Sequence, residues 1–303
     1  MSTGRPPRAV SVRAITLSAP AAEQRSAHVA RRLFRDPLGM LGLVLVVLAV
    51  LSAVGADWLA THDPLKMSLG ARLRPPGPDA WLGTDNLGRD IYSRILYGGR
   101  IALWVSLVAV STSAATGLIL GMLAGYGPRW LDNVLMLVFD AVRSFPTVMF
   151  ALALVTLIGP SLGTIITIVV VTSIPVYGRI VRTQTQSLKA NEFILAERAL
   201  GAGPFCVLFS HVLPNVIGPL LILACMEIPV VITIEAGLSF LGLGVRPPTP
   251  TWGSILHDGY QFIRDTPWLV IAGGIPLIVT TLGFTFLGEA LRDAFDPKLS
   301  RRS

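Results

Sequence analysis

The sequence predicts an all-α integral membrane protein with six transmembrane helices. Hydrophobic residues make up 52% of the 303 residues and charged residues only 14%, and the mean hydropathy is +0.64. Soluble domains carry roughly 25% charged residues, so this composition favours lipid as the surrounding solvent. Long uncharged runs, such as Ile101 to Gly125, are separated by glycine- and proline-rich turns. These observations favour membrane spans over a soluble core.

Six segments have the length that a helix needs to cross a bilayer, which is about 20 residues for a hydrocarbon core of about 30 Å. The uncharged run 144–178 is too long for one span and too short for two, so we extend the third span back to about Leu135. The fifth contains two acidic residues, Glu227 and Glu235. The predicted spans are 37–56, 101–125, 135–158, 164–182, 216–238 and 268–288.

The distribution of lysine and arginine predicts that both chain ends lie in the cytoplasm. An even number of spans places the termini on one side, and 17 of the 25 basic residues then fall on that side. This agrees with the positive-inside rule. The chain then divides into a basic, disorder-prone cytoplasmic tail (1–36), a first span with an exterior loop (37–100), a five-helix core (101–290) and a cytoplasmic C-terminal tail (291–303).

The chain lacks the residues that several classes of function require. The net charge of +7 comes with no compact basic stripe of the kind that binds nucleic acid. The chain has no G-x-x-x-x-G-K-S/T motif, so it has no P-loop for ATP. Four histidines lie in separate regions, which argues against a catalytic triad or a metal site: His28, His62, His211 and His257. We therefore predict a non-catalytic subunit with no cofactor of its own.

The stretch between the fourth and fifth spans carries strong helix signals in a polar, cytoplasmic setting. Asn191 can cap a helix whose first turn contains Glu192, and residues 196–200 are good helix formers. The segment 201–204 (Gly-Ala-Gly-Pro) ends that helix, because glycine adopts the left-handed cap and proline cannot continue the run. The sequence predicts a short surface helix at about 190–204, joined to two spans like a lever.

This segment resembles the EAA coupling motif of binding-protein-dependent ABC importer permeases. Leu195-Ala-Glu-Arg-Ala-Leu-Gly201 is followed, after nine residues, by His211-Val-Leu-Pro-Asn215. In that family the loop inserts a short helix into a cleft on the nucleotide-binding subunit. The resemblance implies an ATPase-docking face at six positions: Ala196, Glu197, Arg198, Ala199, Leu200 and Gly201.

The chain departs from the motif at one acidic position. The leading glutamate of the motif falls at Leu195, whereas this chain has Glu197 where alanine is usual. Glu197 either contacts the ATPase from a shifted position or is solvated. The grip on the ATPase is therefore expected to depend on shape and on other charges.

Three further passages resemble the dipeptide and oligopeptide permease C-type subunits, and the resemblance covers nearly the whole chain after residue 33. They are Trp81-Leu-Gly-Thr-Asp-Asn-Leu-Gly-Arg-Asp90, Asp140-Ala-Val-Arg-Ser-Phe-Pro146 and Glu235-Ala-Gly-Leu-Ser-Phe-Leu-Gly-Leu-Gly244. The resemblance implies a type I ABC importer permease fold in the bacterial inner membrane. It also implies a homologous B-type permease, two ATPase subunits that bind ATP and Mg, and an exterior solute-binding protein. The implied substrate is a di- or oligopeptide, with nickel, glutathione or haem as alternatives.

The two acidic residues of the fifth span need a partner or a water-filled cavity, because a carboxylate at membrane depth is costly. Either Glu227 or Glu235 lines the translocation path, or both brace the helices, and we favour bracing. An ion-coupled secondary transporter would use such carboxylates for coupling. That class commonly shows internal repeats with broken helices, and the sequence shows no convincing repeat.

Overall fold

The structure is a computed structural model that describes residues 36–295, and the regular secondary structure of that range is helical. Residues 1–35 of the predicted N-terminal tail (1–36) and residues 296–303 of the predicted C-terminal tail (291–303) lie outside the described residues, whereas residues 291–295 belong to the last helix. The helices are α1 (Pro37–Val54), α2 (Ala56–Leu59), α3 (Ile91–Tyr126), α4 (Arg129–Ser144), α5 (Thr147–Ile158), α6 (Leu162–Lys189), α7 (Glu192–Ala199), α8 (Pro204–Phe240), α9 (Trp252–Gln261) and α10 (Trp268–Phe295).

Five helices of the described range are long and apolar enough to cross a membrane: α1, α3, α6, α8 and α10. The pair α4 and α5 supplies a sixth span if the two bent helices are counted as one. The predicted spans map onto these five helices and this pair. The predicted division of the chain into tails, first span and core stays a prediction.

The third predicted span is not one continuous helix, which corrects the sequence prediction for 135–158. The axes of α4 and α5 differ by 89°. The break falls at Phe145 and Pro146, where Phe145 is extended with φ −88° and ψ 130°. Proline disfavours the helical conformation of the residue before it and has no N–H to donate. The uncharged composition of this run says nothing about that break.

Two predicted spans begin well inside longer helices. The helix α3 begins at Ile91 rather than Ile101, because the Asp90 side chain accepts a hydrogen bond from the Ser93 backbone N–H at 2.8 Å and caps its first turn. The helix α8 begins at Pro204 rather than Val216 and contains a π-helical segment, Val207–Val212. Arg94 and Arg100 hide the start of α3 from a search for uncharged residues, whereas residues 204–215 carry no Asp, Glu, Lys or Arg and were left outside the predicted span for other reasons.

The first span is attached to α3 by a clamp at Arg100. The guanidinium donates to Asp57 Oδ2 at 2.8 Å and to the backbone oxygens of Ala53 at 2.6 Å and Val54 at 2.8 Å. These carbonyls lie at the end of α1, where they have no partner within the helix. The Arg100 hydrogen bond lowers the pKa of Asp57, so this carboxylate stays ionised.

The most extensive helix contact among the described residues is between α3 and α6, and it depends on glycine. Along one face of α3 lie Gly117, Gly121 and Gly125. A Cβ atom at Gly121 would lie 2.6 Å from the carbonyl oxygen of Gly178 on α6, a separation that real Cβ atoms do not show. Small residues let membrane helices approach until their backbones touch. This stripe holds α6, and with it the base of α7, against α3.

Replacing Gly121 with alanine should destabilise the folded protein by about 1–3 kcal/mol, because the obstructing atom is backbone and cannot rotate away. The melting temperature of the detergent-purified protein measures this. Gly218→Ala on α8 is the matched control, since a Cβ there meets nothing within 4 Å. Alanine at Gly218 should leave the melting temperature unchanged or raise it slightly. Equal melting temperatures for the two variants would contradict the close α3–α6 contact.

Candidate coupling site and membrane carboxylates

The short helix α7 lies at the junction of α6 and α8 and is anchored there by one side chain. Ile194 is 0% exposed and belongs to a buried cluster with Tyr177 and Val181 of α6 and Val207 and Val212 of α8. Six of the other seven residues of α7 are exposed, and Glu197 is half-buried. This buried face joins α7 to both spans.

The end of α7 is a Schellman motif built on Gly201. The Ala202 N–H donates to the Glu197 carbonyl at 3.0 Å, and the Gly201 N–H donates to the Arg198 carbonyl at 3.1 Å. Gly201 has φ +95°, in the left-handed region that favours glycine. The predicted stop at Gly201 is confirmed. The predicted cap is only half right, because Asn191 occupies the cap position without a side-chain hydrogen bond.

Five of the six predicted docking residues are exposed: Ala196, Arg198, Ala199, Leu200 and Gly201. Leu200 is 89% exposed. Two large apolar residues near the docking positions in the chain, Leu195 and Phe205, are also exposed, by 51% and 77%, and the sequence analysis did not single them out as docking residues. The sequence signal for them is the presence of large apolar side chains in a polar loop, because exposed apolar groups mark interaction sites.

The sixth predicted residue, Glu197, is turned toward α8 of its own chain. Its Oε2 lies 3.3 Å from Nε2 of His211 in the π-helical segment. The His211 ring packs edge-on against Phe193 of α7, with ring centroids 5.9 Å apart. The acidic group is therefore neither fully solvated nor wholly directed at a partner.

Ion pairs join α4 to α6, the helix that leads into α7. Arg182 Nη2 donates to Asp132 Oδ2 at 2.6 Å, and Arg179 pairs with Asp140. At the end of α6, Lys189 Nζ donates to the Tyr126 carbonyl at 2.8 Å. These contacts hold α4, α6 and the end of α3 together beside α7.

The two membrane carboxylates of α8 lie in different surroundings and do not meet. Glu235 is 0% exposed; its Oε1 accepts a hydrogen bond from Ser239 at 2.7 Å, and its Oε2 has no partner among the described residues. Glu227 is half-buried, with Oε1 3.3 Å from Ser173 Oγ of α6. Within this chain, Glu235 borders no open space, whereas Glu227 links α8 to α6.

A buried charged cluster at the predicted exterior end was missed by sequence reasoning. Arg89 Nε donates to Asp85 Oδ2 at 2.6 Å, Arg89 Nη2 lies 3.3 Å from Asp258 Oδ2, and Arg94 Nε lies 3.4 Å from Asp85 Oδ2. Burial raises the pKa of Asp258, although the neighbouring arginines act in the opposite direction. Three of these charges come from one short segment, but Asp258 is distant in sequence, so only the fold reveals the cluster.

Comparison with known proteins agrees with this architecture. Residues 117–301 match the family of binding-protein-dependent transport system inner membrane components, and residues 26–76 match the N-terminal transmembrane domain of oligopeptide transport permease C. A chain of the inward-facing MetNI methionine ABC transporter superposes with a TM-score of 0.55 at 18% identity, covering 67% of this chain and 97% of that chain. That likeness concerns the fold.

Curated relatives cover nearly the whole chain. The dipeptide transport system permease protein DppC of Alkalihalophilus pseudofirmus is 37% identical over 89% of this chain and 88% of the relative. The di/tripeptide permease DppC of Pseudomonas aeruginosa is 35% identical over 85% and 87%, respectively. The glutathione permease GsiD of Pectobacterium atrosepticum is 36% identical over 89% and 90%.

The helical fold and these matches define a multi-pass permease of the bacterial inner membrane. The chain belongs to the family of binding-protein-dependent transport system inner membrane components, which serve ABC importers. Its N-terminal match and its relatives confirm the resemblance to the C-type subunits of dipeptide and oligopeptide permeases.

Proposed function

We propose that this chain is a permease subunit of an ATP-driven importer of di- and oligopeptides. It forms half of the translocation path and transmits closure of the ATPase through α7. The observation that carries this proposal is the exposed end of α7, with Leu200 89% exposed, on a helix anchored by fully buried Ile194. The exposed end of α7 binds the ATPase, and the buried Ile194 passes its movement to the two spans.

The docking face is made by residues 196–201, whose two alanines and glycine permit close approach. Glu197 contributes to that face only with its exposed edge, while its carboxylate braces α7 against His211. Arg198 is exposed and supplies a charge for an acidic group on the ATPase. These roles carry the docking role of the EAA coupling motif over to the matching positions of this chain.

The partners follow from this function. A homologous B-type permease completes the path, two ATPase subunits bind ATP and Mg, and an exterior solute-binding protein delivers the substrate. The chain itself is non-catalytic and binds no cofactor. Relatives named for dipeptide and di/tripeptide transport support a peptide substrate, and the glutathione relative keeps a related small peptide as the alternative.

Uptake by the reconstituted complex tests the function. Proteoliposomes that contain this chain with its permease and ATPase partners should accumulate a radiolabelled dipeptide when ATP and the loaded solute-binding protein are supplied. Omission of this chain should abolish accumulation. Uptake of glutathione or nickel in place of dipeptides would overturn the peptide assignment, and uptake without ATP would overturn the importer class.

We infer that Glu235 braces α8, because it is fully buried and bonded to Ser239 one turn away. Glu235→Gln keeps an acceptor for Ser239, so assembly and uptake should stay near the wild-type level. Glu235→Ala leaves a cavity and an unpaired hydroxyl, which should cost about 2–4 kcal/mol of stability. Thermal stability and dipeptide uptake are the measurements. Normal assembly with lost uptake in Glu235→Gln would instead place this carboxylate on the path.

A further inference from the structure

A cavity of about 430 Å³ lies at the predicted exterior end of the helices, beside the buried charged cluster. Its walls come from four parts of the chain: the segment before and at the start of α3, the turn between α5 and α6, the segment after α8, and α9. The charged and titratable residues in its lining are Arg89, Arg94, Arg246, His257 and Asp258. Small-molecule sites typically have volumes of about 300–1,000 Å³. The cavity therefore has room for a ligand the size of a short peptide.

One arginine in the wall has a donor with no acceptor. Arg94 is 2% exposed, and its Nη1 is buried without a hydrogen-bond partner among the described residues. Its Nε lies 3.4 Å from Asp85 Oδ2, an oxygen that already accepts a 2.6 Å hydrogen bond from Arg89. A buried donor without an acceptor is destabilising, and a charged one more so. The charge of Arg94 is therefore only partly offset within the described residues, which favours an anionic group nearby.

A second arginine in the wall has no ion pair within residues 36–295. Arg246 is exposed, and its Nη2 would lie 3.3 Å from a Cβ placed at Gly159, so the guanidinium reaches across to the turn between α5 and α6. Two of the other polar groups of the wall are engaged, whereas Asn86 Oδ1 is buried without a hydrogen-bond partner among the described residues. Arg89 is held by Asp85 and Asp258, and His257 Nδ1 contacts the Phe240 carbonyl at 2.7 Å.

The charges around the cavity do not cancel. Three guanidinium groups, of Arg89, Arg94 and Arg246, face two carboxylates, of Asp85 and Asp258. The excess is positive, and the donors without partners belong to arginine. The planar guanidinium matches a carboxylate with two parallel hydrogen bonds, which lysine cannot do. A carboxylate is thus the ligand group that this wall fits best.

We propose that the cavity binds the C-terminal carboxylate of a peptide as it enters the permease from the exterior side. The proposal rests on the proposed function and adds a substrate-contacting site to it. The same chemistry could come from an acidic side chain of the solute-binding protein, so the experiment separates these two sources.

Binding of dialanine and of its C-terminal amide tests the site directly. The assembled complex, in nanodiscs and without solute-binding protein, is compared as wild type, Arg246→Gln and Arg264→Gln. Arg264 is another exposed arginine on the predicted exterior side. It lies outside the cavity lining, so it is a matched charge control. The wild type should bind dialanine about tenfold more tightly than the amide, because the amide lacks the charge. Arg246→Gln should remove that preference, and Arg264→Gln should keep it.

Each outcome decides the proposal. Equal wild-type affinity for acid and amide, or an unchanged preference in Arg246→Gln at wild-type thermal stability, would overturn it. If Arg246→Gln instead weakens the association of peptide-free solute-binding protein, the cavity receives an acidic side chain of that protein, and the peptide site is wrong. Dipeptide uptake by the wild-type complex is measured in parallel. Intact uptake with no acid preference rejects the site alone, whereas absent uptake rejects the proposed function.

Discussion

An Ile194→Ala variant should lose most of its ATP-driven uptake, because α7 would lose the only fully buried side chain that attaches it to the spans. Removal of a large aliphatic side chain from a packed site costs about 2–5 kcal/mol. The cluster it leaves, with Tyr177, Val181 and Val212, belongs to α6 and α8 rather than to α7. Dipeptide uptake and the melting temperature of the purified complex measure the two parts of the effect.

The control for this variant is the adjacent residue. Leu195 is 51% exposed, so Leu195→Ala removes a similar volume without opening a cavity. Its melting temperature should match that of the wild type. If Ile194→Ala transports like the wild type despite a lower melting temperature, α7 does not need a rigid anchor, and the lever role is wrong.

A Gly201→Val variant should reduce uptake by about tenfold or more while the protein still inserts into the membrane. At φ +95° a residue with a Cβ costs about 1–2 kcal/mol, and a β-branched one more. The strain falls on the Schellman motif that orients the exposed end of α7. Uptake, ATPase activity and co-purification of the ATPase subunits with the permease are the measurements.

Gly203→Val separates backbone strain from bulk. Both glycines have open space around a Cβ, but Gly203 has φ −73° and ψ 162°, an extended conformation that valine adopts readily. Uptake by this variant should stay within about twofold of the wild type. Equal losses in both variants would indicate that the docking face excludes any added side chain, and that the left-handed turn itself matters little.

One continuous helix connects the two regions that we expect to be functional. The helix α8 has 37 residues from Pro204 to Phe240, so at about 1.5 Å per residue it extends roughly 55 Å. Its first turn adjoins α7, and the residues after its last turn line the exterior cavity. Pro219, Pro229 and the π-helical segment interrupt its hydrogen-bond ladder, and such interruptions are where helices bend. If the proposed coupling displaces α7, α8 is the element that joins it to the exterior end.

Part of the coupling site could be predicted from the sequence alone. The short helix, its end at Gly201 and the exposed residues around Leu200 follow from local signals, because helix formers, a left-handed glycine and a following proline act within a few residues. The partner of Glu197 could not be predicted from the sequence. His211 lies on another helix, and the π-helical segment that brings its ring to the carboxylate has no signature in composition.

Composition and hydropathy by themselves determined that this chain crosses the membrane about six times, because the cost of exposing backbone and charge to lipid acts on every segment separately. The pairing of helices depends on contacts between distant residues, and only the tertiary structure decided it. The contact of Gly121 with Gly178, the 89° break between α4 and α5, and the meeting of Asp258 with Arg89 are of this kind. Each joins or reorients segments that hydropathy treats as independent.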